Sequence, residues 1–266
     1  MSHDEMLKFL YEFFDASLPR LNPGDGDLTK KALDMLRAAQ SKKGDEPDSG
    51  QLRVLDIGCG NGASTLELAR HIDGTITAVD NHQPYLGELM RRAEATGVAD
   101  KIRPCMKDMR DMGFDDGSFD LIWSEGALFV MGFREGVAMC RSLLTPGGVM
   151  AASELSWLRS DPPAECRDFF EEMYPEMADL ADNLMIVRDS GYEVVGHFIV
   201  PESTWWESFF HPLEDRMQSY RETYADDPKR LAFADSMRME SEQYRKYSDW
   251  YGSVFYLMLP DSAPDV

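Results

Sequence analysis

Short apolar runs and polar breaks alternate along much of the chain. "LRVLDI" (52–57), "GTITAVD" (74–80), "KIRPCM" (101–106), "FDLIWSE" (119–125) and "GGVMAASE" (147–154) are the kind of apolar stretch that forms strands covered on both faces. Between them, residues 63–72 and 133–144 read as helices, and Pro84 opens a helix that ends at Gly97. Strands separated by helices in this way predict an α/β fold built on a doubly wound parallel sheet. Pro104 has no N–H to give to a ladder, so the third strand is expected at an edge and the first at the centre. Upstream, "FLYEFFDASL" is a short amphipathic segment. Asp27 is expected to cap a helix over 28–40, where Leu28, Ala32, Leu36 and Ala39 share a face. "SKKGDEPDSG" (41–50) reads as a polar hinge. Two further strands, 192–200 and 251–259, are separated by about fifty mostly helical, charged and aromatic residues. The pattern alone leaves the direction of these two strands open.

The stretch "VLDIGCGNGAST" carries the chemistry. Gly58, Gly60 and Gly62 follow the central strand, and a main chain without side chains lets a ligand approach closely. The spacing is G-x-G-x-G, with Ala63 where a dinucleotide fingerprint has its third glycine. Asp56 lies two residues before Gly58, where a carboxylate would repel a pyrophosphate and suit an ammonium group. Asp80 ends the next strand, a position suited to hydrogen bonds with two ribose hydroxyls. A ribose and an amino-acid head group without phosphates describe S-adenosylmethionine.

Charge narrows the partners. The formal net charge of −21 speaks against nucleic acid or an anionic membrane surface as a partner. No stretch of about 18 apolar residues is present, and the acidic N-terminus lacks a signal-peptide pattern, so a cytoplasmic protein is expected. Cys59, Cys105, Cys140 and Cys166 form no CxxC pair, and the five histidines show no metal-ligand spacing. Reduced thiols and no metal are therefore expected.

Five segments in order, "VLDIGCGNG", "AVD" ending at Asp80, "CMKDM" with Asp108, "FDLIWSEGAL" and "LLTPGGVM", resemble the class I S-adenosylmethionine-dependent methyltransferases over about residues 50–155. With its "NPG" loop and "SEGA…GF" segment, the chain looks like a small-molecule, methyltransferase type 11-like branch. The resemblance implies a seven-stranded Rossmann-like sheet, order 3-2-1-4-5-7-6, with strand 7 antiparallel. It implies one domain over 1–266: an N-terminal helical lid and hinge (1–49), a cofactor-binding core (50–155), and substrate-side helices with the C-terminal strands (156–266). A helical insert separates the last two strands.

The resemblance also implies roles. Gly58, Cys59 and Gly60 lie along the methionine part of S-adenosylmethionine, with Asp56 acting in the same region. Asp80 binds the ribose and Asn81 packs by the adenine. Asp108 accepts from the adenine amino group and the Met109 amide faces a ring nitrogen. Ser124 and Glu125 close the site from the fourth strand. Tyr11, Phe14 and the "NPGDG" loop are expected to fold over the cofactor.

Methyl transfer from a sulfonium is an in-line displacement that needs alignment and exclusion of water. A general base is needed only for a protonated nucleophile. Glu125 and Glu154, with Phe129 and Trp157 near them in sequence, suggest a small, cationic acceptor held by charge and ring faces. His211, in "STWWESFFHP", is the candidate base, although that segment reads first as core packing, with a lid or a homodimer contact as alternatives. The rival readings are a nicotinamide-dependent oxidoreductase and an S-adenosylmethionine-binding protein that transfers no methyl group.

Overall fold

A computed structural model describes residues 3–44 and 50–261. Strands β1 (Leu52–Ile57), β2 (Gly74–Asp80), β3 (Ile102–Met106), β4 (Phe119–Glu125), β5 (Leu144–Trp157), β6 (Tyr192–Ile199) and β7 (Tyr251–Pro260) form one sheet of order 3-2-1-4-5-7-6. The first five strands run parallel, and β7 is antiparallel to both β5 and β6. β3, with Pro104, lies at the edge as its proline requires.

Side chains alternate across the sheet and build two cores. Val54, Trp123, Ala151 and Phe255 face one side. Helices α2 (Gly26–Lys43), α3 (Ala63–His71) and α4 (Gln83–Thr96) bring Leu36, Leu68 and Leu89 to that side. Leu55, Ile122, Met150 and Tyr256 face the other, where α5 (Phe133–Leu143) brings Val137 and Cys140.

Four sequence expectations are revised. α2 starts at Gly26, and its cap is Asp25, whose extended backbone lets its carboxylate accept from Leu28 N at 2.8 Å. Asp27 falls in the first turn, where a negative charge suits the helix dipole. The helix runs to Lys43 and stops at Gly44 with φ 76°, so the start of the expected hinge is helical; residues 45–49 lie outside the described residues. β5 is longer than its apolar run, from Leu144 to Trp157. Two helices whose bounds the pattern did not give, α6 (Ala164–Met173) and α7 (Leu180–Asp189), follow it, and α7 places Val187 on the second core.

The chain before β1 begins with α1 (His3–Phe13) and then runs over the carboxyl ends of the strands. Between β6 and β7 stands the helical insert. α8 (Glu202–Trp205) continues through a π-helical turn (Trp206–Phe210) into α9 (His211–Thr223), and α10 (Pro228–Tyr247) follows. Trp205, Phe209 and Phe210 are buried, so "STWWESFFHP" is largely core.

Candidate cofactor and active site

The glycine turn is fastened to the end of β2. The N–H groups of Gly58 and Cys59 both donate to Val79 O, at 2.9 and 3.0 Å. Gly60 N donates to Asp80 Oδ2 at 2.9 Å, and His82 N donates to Asp80 Oδ1 at the same distance. Asp80 is thereby aimed at the turn, and burial pushes its carboxyl above the ordinary value. Gly60 has φ 53°, and a Cβ there would come 2.9 Å from Leu21 Cδ1. The backbone conformation favours glycine, and a side chain there would press on Leu21.

Asp56 lies beneath the turn, 1 % exposed. Its Oδ2 accepts from Thr65 Oγ1 at 2.6 Å, which ties β1 to α3, while Oδ1 has no hydrogen-bond partner. Burial pushes this carboxyl up to about 7. Cys59 is buried too, and burial raises its thiol well above the usual range, so it fills space rather than acting as a nucleophile.

Aromatic rings flank Asp80. Tyr11 of α1 stacks on His82 with centroids 3.8 Å apart and planes 5° apart, and its hydroxyl donates to Asn81 Oδ1 at 3.1 Å. Tyr85 stands edge-on to both rings and donates to Phe14 O at 2.7 Å. Burial lowers the His82 pKa, which favours the neutral ring in this stack. Asp108 is exposed and accepts from Arg110 N at 2.9 Å; Met109 lies on the glycine turn, its Cε 3.4 Å from a Cβ built on Gly58.

Residues 14–25 cross the mouth of the turn. Asn61 donates to Leu18 O at 2.6 Å, Arg92 donates to Leu18 O at 2.8 Å, and Asn22 Nδ2 donates to Glu125 O at 3.1 Å. Arg20 enters the interior and ion-pairs with Glu125, both side chains being nearly inaccessible. Glu125 also accepts from Thr29 Oγ1 at 2.7 Å and Trp123 Nε1 at 2.8 Å. Arg20 and Thr29 escaped the sequence reading, whereas Asn22 begins the "NPGDG" loop. The available signal was an arginine beside the apolar and turn residues of "LPRLNPG".

The expected acceptor residues are corrected. Glu125 is no free carboxylate, because Arg20, Thr29 and Trp123 occupy it. Nor does it pair with Glu154. Glu125 stands opposite Ser153 in the β4–β5 register, so the next residue, Glu154, points to the other face of the sheet. There Glu154 is 1 % exposed, with Oε1 accepting from Leu155 N, Oε2 without a hydrogen-bond partner, and the Tyr174 phenol nearby; burial pushes it up to about 8. Ser124 is fully buried and donates to Ile57 O at 3.0 Å, joining β4 to β1 rather than lining an open site. His211 is exposed at the start of α9, its ring against Trp206, apart from the glycine turn. Among the described residues no group of His, Cys, Asp or Glu side chains is arranged to hold a metal.

The donor set suits a ribosyl group without phosphates. The turn offers bare main chain, carboxylates border it, and the buried Asp56 Oδ1 awaits a donor. The sheet order matches the Rossmann-like methyltransferase fold. Residues 54–148 match a family model described as a methyltransferase domain. A sterol 24-C-methyltransferase of Neurospora crassa is 25% identical over 185 residues, covering 66% of this chain and 48% of that protein. A second, from Gibberella zeae, is 32% identical over 111 residues, covering 41% of this chain and 29% of that protein. The chain thus spans less than half the length of these curated relatives. In fold it is similar to a methyltransferase from Geobacter sulfurreducens solved with S-adenosylhomocysteine, with TM-score 0.75, 21% identity, and 95% and 98% of the two chains covered.

Proposed function

We propose that the protein transfers the methyl group of S-adenosylmethionine to a small acceptor. The observation that carries this reading is the Asp80 carboxylate held at the glycine turn by Gly60 N and His82 N. When bound, the cofactor supplies a methyl group made electrophilic by a sulfonium.

The chain's own part is to bind, orient and exclude water. Asp80 keeps lone pairs for two ribose hydroxyls. The bare main chain of Gly58, Cys59 and Gly60 admits the amino-acid part. Asn81, Asp108 and the Met109 amide take the base end, beside the Tyr11–His82 stack. Asp56 acts on this part from below, through the turn. The segment 14–25 is the lid that keeps water out.

The net charge of −21 speaks against a polyanionic acceptor, in line with the small-molecule branch the sequence resembles. No described helix is long and apolar enough to cross a membrane. The four unpaired cysteines support a reducing, cytoplasmic setting.

Thermal unfolding separates this reading from the oxidoreductase alternative. S-adenosylhomocysteine at a hundred times its Kd is expected to stabilise the fold by about 2.7 kcal/mol, with NAD giving no shift. Protection by NAD alone would reject the proposal.

A further inference from the structure

The amino-acid part of the proposed cofactor brings an ammonium and a carboxylate to the glycine turn. Asp56 supplies negative charge below the turn. A carboxylate shut away from water needs a counter-charge with N–H groups to give, and a bare main chain carries no charge.

Three arginines border this region. Arg92 of α4 is taken by Glu88 and by Leu18 O. Arg110 is exposed beside Asp108 and donates to Val130 O. Arg20 differs from both: among the described residues it is the only buried lysine or arginine. Its chain neighbours fix its place. Leu21 lies on Gly60, its Cδ1 2.9 Å from a Cβ built there, and Asn22 lies on Gly126, 3.3 Å from a Cβ built there. Gly126 leads into Ala127, which lies on Gly58. Residues 20–22 therefore span the turn from Gly60 to the chain that follows β4. Arg20 is also felt at Asp56, whose carboxyl burial raises while Thr65 and Arg20 pull it down. The guanidinium stands within electrostatic reach of the floor of the turn.

Part of the Arg20 fork is unused. Nε donates to Asn22 Oδ1 at 3.1 Å and Nη2 donates to Glu125 Oε2. Among the described residues, no hydrogen bond leaves Nη1. The planar fork of a guanidinium can serve two carboxylates at once. Thr29 and Trp123 also hold Glu125, so its charge does not rest on Arg20 alone. Arg20 rides on the segment that covers the turn. The cover that hides it also shuts a bound carboxylate from water, where the attraction is stronger.

We infer that Arg20 receives the carboxylate of the cofactor's amino-acid part, and that it makes the site select the carboxylated nucleoside over its decarboxylated amine. This role rests on the methyl-transfer reading and deepens its cofactor site. The residue that ties the lid to β4 thereby also recognises what the lid covers.

The test is titration calorimetry on the full chain with S-adenosylhomocysteine and with its decarboxylated counterpart, the adenosine bearing a 3-aminopropylthio group at C5′. The unmodified protein is expected to bind S-adenosylhomocysteine at least about tenfold more tightly than this amine. Glu125→Gln, which keeps Arg20 and removes the competing charge, is expected to keep that preference. Arg20→Met combined with Glu125→Met leaves no lone buried carboxylate to unfold the protein. It is expected to bind the two nucleosides within about twofold of each other, through a loss confined to S-adenosylhomocysteine. Weakening of both nucleosides by the same factor would show that Arg20 only holds the lid, and would overturn the inference. Equal binding of the two by the unmodified protein overturns it without any variant and leaves the cofactor reading standing. Binding of neither nucleoside rejects the cofactor reading and this role with it.

Discussion

Asp80 carries two loads at once. It holds the glycine turn through Gly60 N and His82 N, and its remaining lone pairs are the proposed ribose acceptors. Asp80→Ala is therefore expected to weaken S-adenosylhomocysteine about 10- to 100-fold, the worth of hydrogen bonds to a charged group. Titration calorimetry reads this, and unchanged affinity would remove Asp80 from the site. Glu154 makes a different prediction. Its pKa is raised by burial to about 8, so the folded state holds a proton that the unfolded chain releases near the ordinary carboxylate value. The native state binds more protons between those two values, and stability from this group is present at low pH and lost as pH rises through 8. Glu154→Gln should leave the melting temperature unchanged near pH 5 and raise it at pH 9, where 1 kcal/mol corresponds to about 2–4 °C for a chain of this size. A melting temperature that falls equally at both pH values would contradict this. Residue types and spacing made Asp56, Asp80 and the three glycines legible in the sequence. That Glu125 and Glu154 lie on opposite faces was not, because register sends adjacent residues to opposite faces and is not written in either strand alone.

Among the elements, the N-terminal crossing depends on one buried ion pair. Arg20 and Glu125 lie far apart in sequence and join the lid to the end of β4. Arg20→Met leaves a buried, uncompensated carboxylate and is expected to cost about 3–5 kcal/mol. Adding Glu125→Met removes that charge and should restore much of the loss. Urea unfolding midpoints measure both, and a double variant as unstable as the single would show that the pair is not the cause. The core strands and α3–α5 were readable because both-face burial makes strands apolar and helices fall between them. Less was readable in the rest. Asp25 and Asp27 both offer a capping carboxylate, and only the backbone after Gly24 selects the first. Helices α6 and α7 lie in a mixed polar stretch where few apolar positions mark a face. Strand β5 gains its extra length from pairing with β7, a contact that no local pattern records.

At the scale of the molecule, the sheet, the turn and the crossing segment act as one device. The carboxyl ends of β1, β2 and β4 present bare main chain and carboxylates, and α1 supplies the ring that stacks on His82. The family model matches residues 54–148, whereas Tyr11 and residues 14–25, which border the glycine turn, lie before that match. The measurement that bears most directly on the central claim is titration calorimetry of the folded protein with S-adenosylhomocysteine, repeated with NAD. One saturable site for S-adenosylhomocysteine, lost in Asp80→Ala, and no heat with NAD is the expected result. No heat with either S-adenosylmethionine or S-adenosylhomocysteine, on protein whose unfolding remains cooperative, would contradict it.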